Sequence, residues 1–218
     1  MKDKRCVVLL SGGLDSAVTL YFAKKSGFDC SCVSFDYGQR HKRELTSAKK
    51  IADAAGCPLR VIKIDMGWGG SSLVDKKMAI PQKPSGSKKI PSTYVPGRNI
   101  IFLSFALSFA EVIGAEAIFI GAHAQDYSGY PDCRPEFYKA FSKVIKTGTK
   151  AGVENRKISV ETPLINKTKA QIIKLGARLG VPFGLTWSCY RGGTSPCGKC
   201  DSCHYRNKGF KEAGLIDG

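Results

Sequence analysis

Long apolar runs are missing from this 218-residue sequence, so no segment is predicted to cross a membrane. The longest apolar stretch, residues 100–110, is too short and is interrupted by Ser104 and Ser108. The basic start and the few apolar residues after it give way to glycine and aspartate too early for a secretory signal peptide. Internal repeats and low-complexity blocks are also absent. We therefore expect a cytoplasmic protein without a membrane partner.

Acidic residues are scarce, since 18 Asp and Glu stand against 34 Lys and Arg and give a formal net charge of +16. With 43% hydrophobic and 24% charged residues, the composition excludes a disordered chain and predicts a well-packed core. The positive charge fits either an ordinary solvated surface or a polyanionic partner such as ATP or RNA. Lysines are spread along the chain without an arginine-rich tail, which favours the solvated surface.

Short apolar strands alternate with helical patterns along the chain. Strands are predicted at residues 6–10, 29–36, 60–65, 117–121 and 158–161, and helices at residues 16–26, 43–55, 99–113, 135–147 and 168–179. This alternation predicts an α/β fold, a parallel twisted sheet with helices on both faces. The helix at 99–113 is apolar almost all round and is expected to be buried. We divide the chain into an α/β domain, residues 1–185, with a mobile lid-like loop at 66–97, and a C-terminal segment, residues 186–218.

The loop after the first predicted strand reads Ser11-Gly12-Gly13-Leu14-Asp15-Ser16. Its glycines permit a tight turn that presents backbone N–H groups, and the following helix adds its positive end, so the loop is predicted to cradle an anion. The lysine of the usual P-loop is missing. A carboxylate inside a phosphate cradle needs a counter-charge, which Mg²⁺ bridging Asp15 and the phosphates would supply. In the alternative interpretation, Asp15 and Ser16 only cap the helix.

The string S-G-G-x-D-S resembles the pyrophosphate loop of the ATP pyrophosphatase (PP-loop) family, whose members attach AMP to a carbonyl or carboxylate oxygen and expel pyrophosphate. The resemblance implies an adenine nucleotide α-hydrolase-like sheet that uses ATP and Mg²⁺. The residues that we expect to bind the nucleotide are Leu10, Ser11, Gly12, Gly13, Leu14, Asp15, Ser16 and Asp36. Asp36 ends the second predicted strand, near the expected adenine position.

Four of the nine cysteines crowd together near the C-terminus: Cys189, Cys197, Cys200 and Cys203. In a reducing cytosol such a cluster favours metal binding over disulfides. Glycines and a proline supply the tight turns of a small knuckle, and four thiolates suit tetrahedral Zn²⁺. An iron–sulfur cluster is the rival interpretation, because C-x2-C-x2-C spacing also occurs there. A sulfur-carrying cysteine is disfavoured, since a complete four-cysteine set leaves none free.

Further candidates lie in predicted loops and at helix starts. Arg98 opens the long apolar helix, where it either reaches a bound phosphate or is an ordinary surface arginine. Lys169 opens a later helix, where it either neutralises pyrophosphate or is solvated. After the fourth strand, Asp126 could accept two N–H bonds from a guanine-like edge, with Tyr127 or Tyr130 stacking on the heterocycle. The alternative is a turn-rich loop whose aspartates cap local backbone.

Several motifs, taken in chain order, resemble the family of 7-cyano-7-deazaguanine synthases: S-G-G-L-D-S, D-Y-G-Q-R-H, V-P-G-R-N, D-Y-S-G-Y-P-D-C-R, T-P-L and W-S-C-Y…P-C-G-K-C-D-S-C-H-Y-R. The resemblance spans nearly the whole chain. It implies that ATP adenylates 7-carboxy-7-deazaguanine, that ammonia displaces AMP to give an amide, and that a second activation yields the nitrile, in queuosine biosynthesis. It also implies a homodimer with small-molecule substrates and no stable nucleic-acid partner.

Within that mechanism, Asp15, Arg98 and Lys169 are the expected catalytic residues. No general base is obvious, and His41 and His123 have only weak support. Two alternative functions remain at the level of the sequence. One is a tRNA-modifying ATP pyrophosphatase that binds RNA through the basic surface, and the other is a non-enzymatic, zinc-bearing nucleotide-binding module.

Overall fold

The computed structural model describes residues 4–82, 90–123 and 129–217. The strands are β1 (Lys4–Leu9), β2 (Phe28–Asp36), β3 (Leu59–Lys63), β4 (Ala117–Phe119) and β5 (Ser159–Glu161). The helices are α1 (Leu14–Lys25), α2 (Arg43–Ala55), α3 (Arg98–Ile113), α4 (Pro135–Gly148), α5 (Lys150–Val153), α6 (Lys169–Arg178) and α7 (Asp201–Ala213). The helix predicted at 43–55 is α2 with the same bounds. The other predicted elements are present with shifted ends.

The strands form one sheet in the order β3-β2-β1-β4-β5, and every neighbouring pair is parallel. The order reverses beside β1, because the chain first moves outward through β2 to β3 and then returns to the other side as β4. Ligands of open α/β sheets bind at such a switch point, beyond the carboxyl ends of the strands. The predicted fold class is confirmed, and the loops after β1, β2 and β4 meet at one edge of the sheet.

Side chains alternate across the sheet and form two separate cores. On β1, Cys6 and Val8 face the layer that contains α1, α2 and α6, whereas Val7 and Leu9 face the layer that contains α3 and α4. All four side chains are buried. Helices therefore cover both faces of the sheet, as the sequence predicted.

The expectation that the apolar helix α3 is buried on all sides is wrong. Its inner side, with Leu103 and Ala106, packs into the second core, but Ile100, Phe105 and Val112 remain 48%, 41% and 81% exposed. A helix that lies on one face of a sheet buries only the side turned toward the strands. The result is an apolar outer face that no described part of the chain covers.

The long connection between β3 and α3 is anchored in its described parts. Met66 and Val95 belong to the same core as α3. The guanidinium of Arg40 donates to the carbonyl oxygens of Asp75 and Met78. Residues 83–89 lie outside the described residues, and the lid-like role of the loop stays a prediction.

The C-terminal segment shares a core with the α/β domain. On α7, Phe210 is buried in the first core, with its ring edge-on to that of Phe183 at 5.3 Å. A separate small cluster of Trp187, Cys189, Cys200 and Cys203 also lies within this segment. The boundary at residue 186 stays a prediction. In the part of the chain that the structure describes, every helix is too short or too polar to cross a membrane.

Candidate active site

The loop between β1 and α1 is held in shape by its own serines. Ser16 Oγ accepts hydrogen bonds from the Ser11 amide (3.2 Å) and the Ser11 hydroxyl (3.0 Å), and it donates to the Gly13 carbonyl at 2.9 Å. Gly12 has a φ of +87°, and a Cβ there would lie 2.1 Å from the Glu44 carbonyl oxygen, so only glycine fits. None of the described side chains caps α1, which leaves its first amides available to an anion. This geometry supports the anion cradle over the capping interpretation.

Two basic side chains from distant parts of the chain neutralise Asp15. Lys169 Nζ donates to both carboxylate oxygens of Asp15, at 2.8 and 2.7 Å, and lies 3.0 Å from Nε2 of His123. The same His123 nitrogen is 3.4 Å from Asp15 Oδ2. Burial alone would raise the pKa of Asp15, but Lys169 and His123 outweigh burial and hold it well below its usual range. Lys169 thus supplies a counter-charge to Asp15, whereas the sequence alone predicted that Mg²⁺ would do so.

The position of Lys169 is fixed from two sides. Thr168 forms a capping box at the start of α6, in which its Oγ1 accepts from the Gln171 amide and Gln171 Oε1 accepts from the Thr168 amide. Gly209 on α7 faces the stem of Lys169, and a Cβ at residue 209 would lie 2.4 Å from Lys169 Cγ. The close approach of α7 to α6 therefore directs the ammonium group toward Asp15.

A cleft opens beside this ion pair, at the carboxyl edge of the sheet. It is lined by the loop after β1, the end of β2, the first turns of α2 and α3, the segment after β4 and one residue of the C-terminal segment. The predicted site residues that line it are Leu10, Ser11, Gly13, Asp15, Ser16, Arg98 and Tyr130. Residues that are far apart in sequence are thus brought to one cavity.

Arg98 faces the cleft and is not an ordinary surface arginine. It lies at the start of α3, forms a side-chain hydrogen bond with Tyr37, and lies 6.0 Å from the ring centre of Phe102. Burial opposes the charged form, but Tyr37, Cys133 and Tyr130 raise the pKa of Arg98 above its ordinary value. The guanidinium is therefore a permanent cation where phosphate binding is expected.

Asp132 orients the helix that carries Arg98. Its Oδ2 accepts from the Asn99 amide at 3.0 Å, and its carbonyl oxygen accepts from Asn99 Nδ2 at 3.1 Å. Asp132 thus binds backbone, as the alternative interpretation of this loop proposed, although the backbone belongs to α3. Tyr130 lines the cleft with its hydroxyl 2.6 Å from Thr93 Oγ1. Asp126 and Tyr127 lie outside the described residues, so their predicted role in substrate binding stays a prediction.

Of the residues predicted to bind the nucleotide, three do not line the cleft. Asp36 pairs with Lys42 at 2.7 Å, Leu14 is buried in the first core, and Gly12 contributes backbone that packs on α2. Of the two histidines considered, His41 lines the cleft and His123 belongs to the Asp15 cluster.

Sequence reasoning missed Glu44. It lies in the first turn of α2 and lines the same cleft as Asp15. Burial raises the pKa of Glu44 to about 7, although Arg98 opposes the rise. The signal that could have identified Glu44 is its place three residues after the motif D-Y-G-Q-R-H, at the carboxyl edge of the second strand.

The four C-terminal cysteines converge on one point. The sulfur atoms of Cys189, Cys197, Cys200 and Cys203 all lie within 4.8 Å of one another, and those of Cys197 and Cys203 are 4.0 Å apart. A tetrahedral ion with metal–sulfur bonds of about 2.3 Å needs sulfur–sulfur distances of about 3.8 Å. Backbone amides also donate to Cys189 Sγ and Cys197 Sγ at 3.3–3.4 Å, which stabilises thiolates. The cluster therefore fits a bound metal ion.

The cysteine cluster is connected to the anion cradle. The Trp187 amide donates to the Gly12 carbonyl oxygen at 2.9 Å, and the Trp187 indole N–H donates to the Cys189 carbonyl oxygen at 2.8 Å. Arg43 lies over the Trp187 ring at 4.7 Å, and Tyr190 lines the cleft. The C-terminal segment is thus part of the wall of the site.

Comparison with solved structures reveals shared folds. NMN synthetase from Francisella tularensis superposes with a TM-score of 0.52 at 16% identity, over 98% of this chain and 88% of that chain. A predicted subunit of tRNA methyltransferase from Methanocaldococcus jannaschii gives a TM-score of 0.52 at 17% identity, over 80% of this chain and 74% of that chain. At these identities the likeness shows the fold alone.

Known sequences resemble this chain much more closely than the solved structures do. The proteins named 7-cyano-7-deazaguanine synthase from Trichormus variabilis and Acetivibrio thermocellus are each 54% identical to this chain, over 98% of it and 96% of the relative. The protein of that name from Stutzerimonas stutzeri is 51% identical over the full chain and 98% of the relative. A family model described as "Queuosine biosynthesis protein QueC" matches residues 5–214. The chain therefore belongs to the QueC family.

Proposed function

We propose that this chain is a ligase that converts 7-carboxy-7-deazaguanine and ammonia to 7-cyano-7-deazaguanine through two adenylated intermediates. The observation that carries the proposal is the match to the QueC family along residues 5–214, combined with an anion cradle that opens into a cleft. The comparisons favour this function over the tRNA-modifying alternative, because the relatives at about 50% identity carry the synthase name.

The chain's own groups fit the activation of an acid by ATP. Amides of the loop that follows β1 and of the first turn of α1 would bind the departing pyrophosphate, with Arg98 as a cation that lines the same cleft. Lys169 keeps Asp15 ionised and oriented. Carboxylate oxygens suit Mg²⁺, which when bound at Asp15 would offset charge that develops on the phosphates. Buried aromatic walls, such as Phe35 stacked on Phe102 at 3.9 Å, would keep water from the acyl-adenylate.

The test is incubation of the purified chain with ATP, Mg²⁺, ammonium and 7-carboxy-7-deazaguanine. We expect AMP in nucleotide analysis and, by mass spectrometry, first the amide and then the nitrile. Parallel reactions replace the acid by tRNA, or ammonium by glutamine. AMP formation that requires tRNA would support the alternative function, and efficient use of glutamine would overturn free ammonia as the nitrogen source.

For the metal site we propose Zn²⁺ rather than an iron–sulfur cluster. A single ion needs all four sulfurs close together, whereas a four-iron cluster has a different iron atom at each thiolate and needs wider spacing. The mutual distances within 4.8 Å favour the single ion. Elemental analysis of the chain purified without added metal should give about one zinc and no iron per chain.

The exposed face of α3 supports a homodimer. Phe105 and Val112 lie on the outer side of this helix, where an apolar patch in water marks an interaction surface. A second copy of the chain could cover the patch with the same patch about a two-fold axis. We place the protein in the cytoplasm, where thiols stay reduced for metal binding.

A further inference from the structure

Two carboxylates line the cleft in opposite environments. Asp15 is held by Lys169, whereas Glu44 makes no ion pair within 4 Å among the described residues. Both acids are close to the anion cradle, because Asp15 follows Gly13 by two residues and the Glu44 backbone packs directly on Gly12. Asp15 is therefore paired with a lysine, whereas Glu44 lines the cavity without an ion pair among the described residues.

The charged and titratable groups around Glu44 come from three elements. Arg98 at the start of α3 favours the ionised form of Glu44, and Tyr37 after β2 lies close enough to interact with it. Arg40, His41 and Tyr190 line the same cleft. Burial outweighs Arg98 and raises the pKa of Glu44 to about 7, so both its protonated and ionised forms are populated near neutral pH.

We infer that Glu44 is the general base that takes a proton from the nitrogen nucleophile when it displaces AMP. This inference rests on the proposed function. In the step, the nitrogen of neutral ammonia forms a bond to the acyl carbon, and the bond between that carbon and the phosphate oxygen breaks. The electron pair leaves with AMP, and one ammonia proton passes to the Glu44 carboxylate. Solvent removes that proton before the next turnover.

The other candidates are less suited to this step. Asp15 is too weak a base, because both its oxygens accept from Lys169. His123 Nε2 is in contact with the same lysine at 3.0 Å. Burial lowers the pKa of His41 below its ordinary value, so His41 holds a transferred proton less well than Glu44. Among the described residues that line the cleft, Glu44 is the carboxylate that forms no ion pair within 4 Å.

The test compares Glu44→Gln and Glu44→Asp with the parent chain in three assays. The first is ATP–pyrophosphate exchange with the acid and no nucleophile, which reports adenylation alone. The second and third measure AMP release at pH 7 with ammonium and with hydroxylamine. Hydroxylamine is neutral at that pH and loses its proton to water more readily after attack. Glu154→Gln, at an exposed glutamate, is the matched control.

We expect Glu44→Gln to keep the exchange reaction, to lose about 100-fold with ammonia, and to lose less than about 5-fold with hydroxylamine. Glu44→Asp should retain part of the ammonia reaction. When the rate of AMP release is divided by the concentration of neutral ammonia, the value for the parent chain should increase as the pH is raised through 7. This increase should be absent in Glu44→Gln.

Equal losses with both nucleophiles, or a loss of exchange, would show that Glu44 binds substrate or supports the fold and would overturn the inference. Unchanged ammonia turnover would overturn it as well. A parent chain that makes no acid-dependent AMP would instead contradict the proposed function, so the two failures are distinguishable.

Discussion

The amide of Trp187 donates a hydrogen bond of 2.9 Å to the carbonyl oxygen of Gly12. This contact joins the cysteine segment to the turn that cradles the anion. Gly12 is also fixed from the other side by the Glu44 carbonyl of α2. The shape of the anion cradle therefore depends on Trp187, which lies 175 residues after Gly12 in the chain.

Removal of the metal should weaken nucleotide binding. Without an ion, nothing holds the four cysteine sulfurs together near Trp187. The hydrogen bond from the Trp187 amide to Gly12 should then be held less firmly. We expect a chelator, or Cys200→Ser, to weaken binding of a non-hydrolysable ATP analogue about tenfold, which equals about 1.4 kcal/mol. Titration calorimetry measures the change, and zinc added back should reverse the chelator effect. Unaltered affinity in the metal-free chain would show that the loop stands without this support.

Replacement of Lys169 by methionine should change the pH dependence of stability. The pKa of Asp15 lies below its unfolded value of about 3.9, so the ion pair stabilises the fold above that pH and its contribution is lost as the pH falls toward the folded pKa. We expect Lys169→Met to cost about 2 kcal/mol at pH 7, because Asp15 keeps its burial without its main partner. The difference from the parent should shrink below pH 4. Urea unfolding between pH 3 and 8 measures it, and a constant difference would contradict the assignment.

Gly209→Ala should lower activity by displacing Lys169, although residue 209 does not line the cleft. The added Cβ would lie 2.4 Å from Lys169 Cγ and 2.9 Å from Ile173 Cδ1, so α7 or Lys169 must move. We expect AMP formation to fall about tenfold through loss of the Asp15 contact, with the metal content unchanged. Gly148→Ala is the matched control, because a Cβ there has no neighbour within 4 Å among the described residues. Equal activity of the two variants would contradict the role of Gly209 in positioning Lys169.

Charge on the outer face of α3 should prevent self-association. Phe105→Glu combined with Val112→Asp would place two carboxylates in the proposed homodimer interface, where they repel each other across the two-fold axis. Sedimentation analysis should then give a monomer where the parent chain gives a dimer. Val153→Asp, at a valine on α5 that is 73% exposed, serves as the control. A dimer that survives the double substitution would place the interface elsewhere.

Local chemistry explains why much of the site could be predicted. The string from Ser11 to Ser16 contains its turn residues, its hydroxyls and the start of its helix within a few positions. The spacing of the four cysteines is also local, and it was sufficient to predict a metal-binding knuckle without knowledge of the fold. Alternation of apolar strands with helices likewise predicted the parallel sheet.

Partners that lie far apart in sequence could not be predicted in the same way. The ion pair of Asp15 with Lys169 spans 154 residues and forms because α6 packs beside α1, with Gly209 of α7 behind the lysine. Glu44 became a candidate base only when burial in the assembled cleft shifted its pKa. The exposed face of α3 could not be predicted from the sequence either, because an apolar pattern does not reveal which side of a helix has a neighbour.

The sequence by itself determined the parallel α/β architecture, the anion-binding turn and the four-cysteine site, since each arises from backbone propensity and short-range spacing. Only the tertiary structure decided which charges face one another in the cleft and which remain without partners. Electrostatic pairing and desolvation depend on distances across the packed layers, and those distances exist only once the layers have assembled.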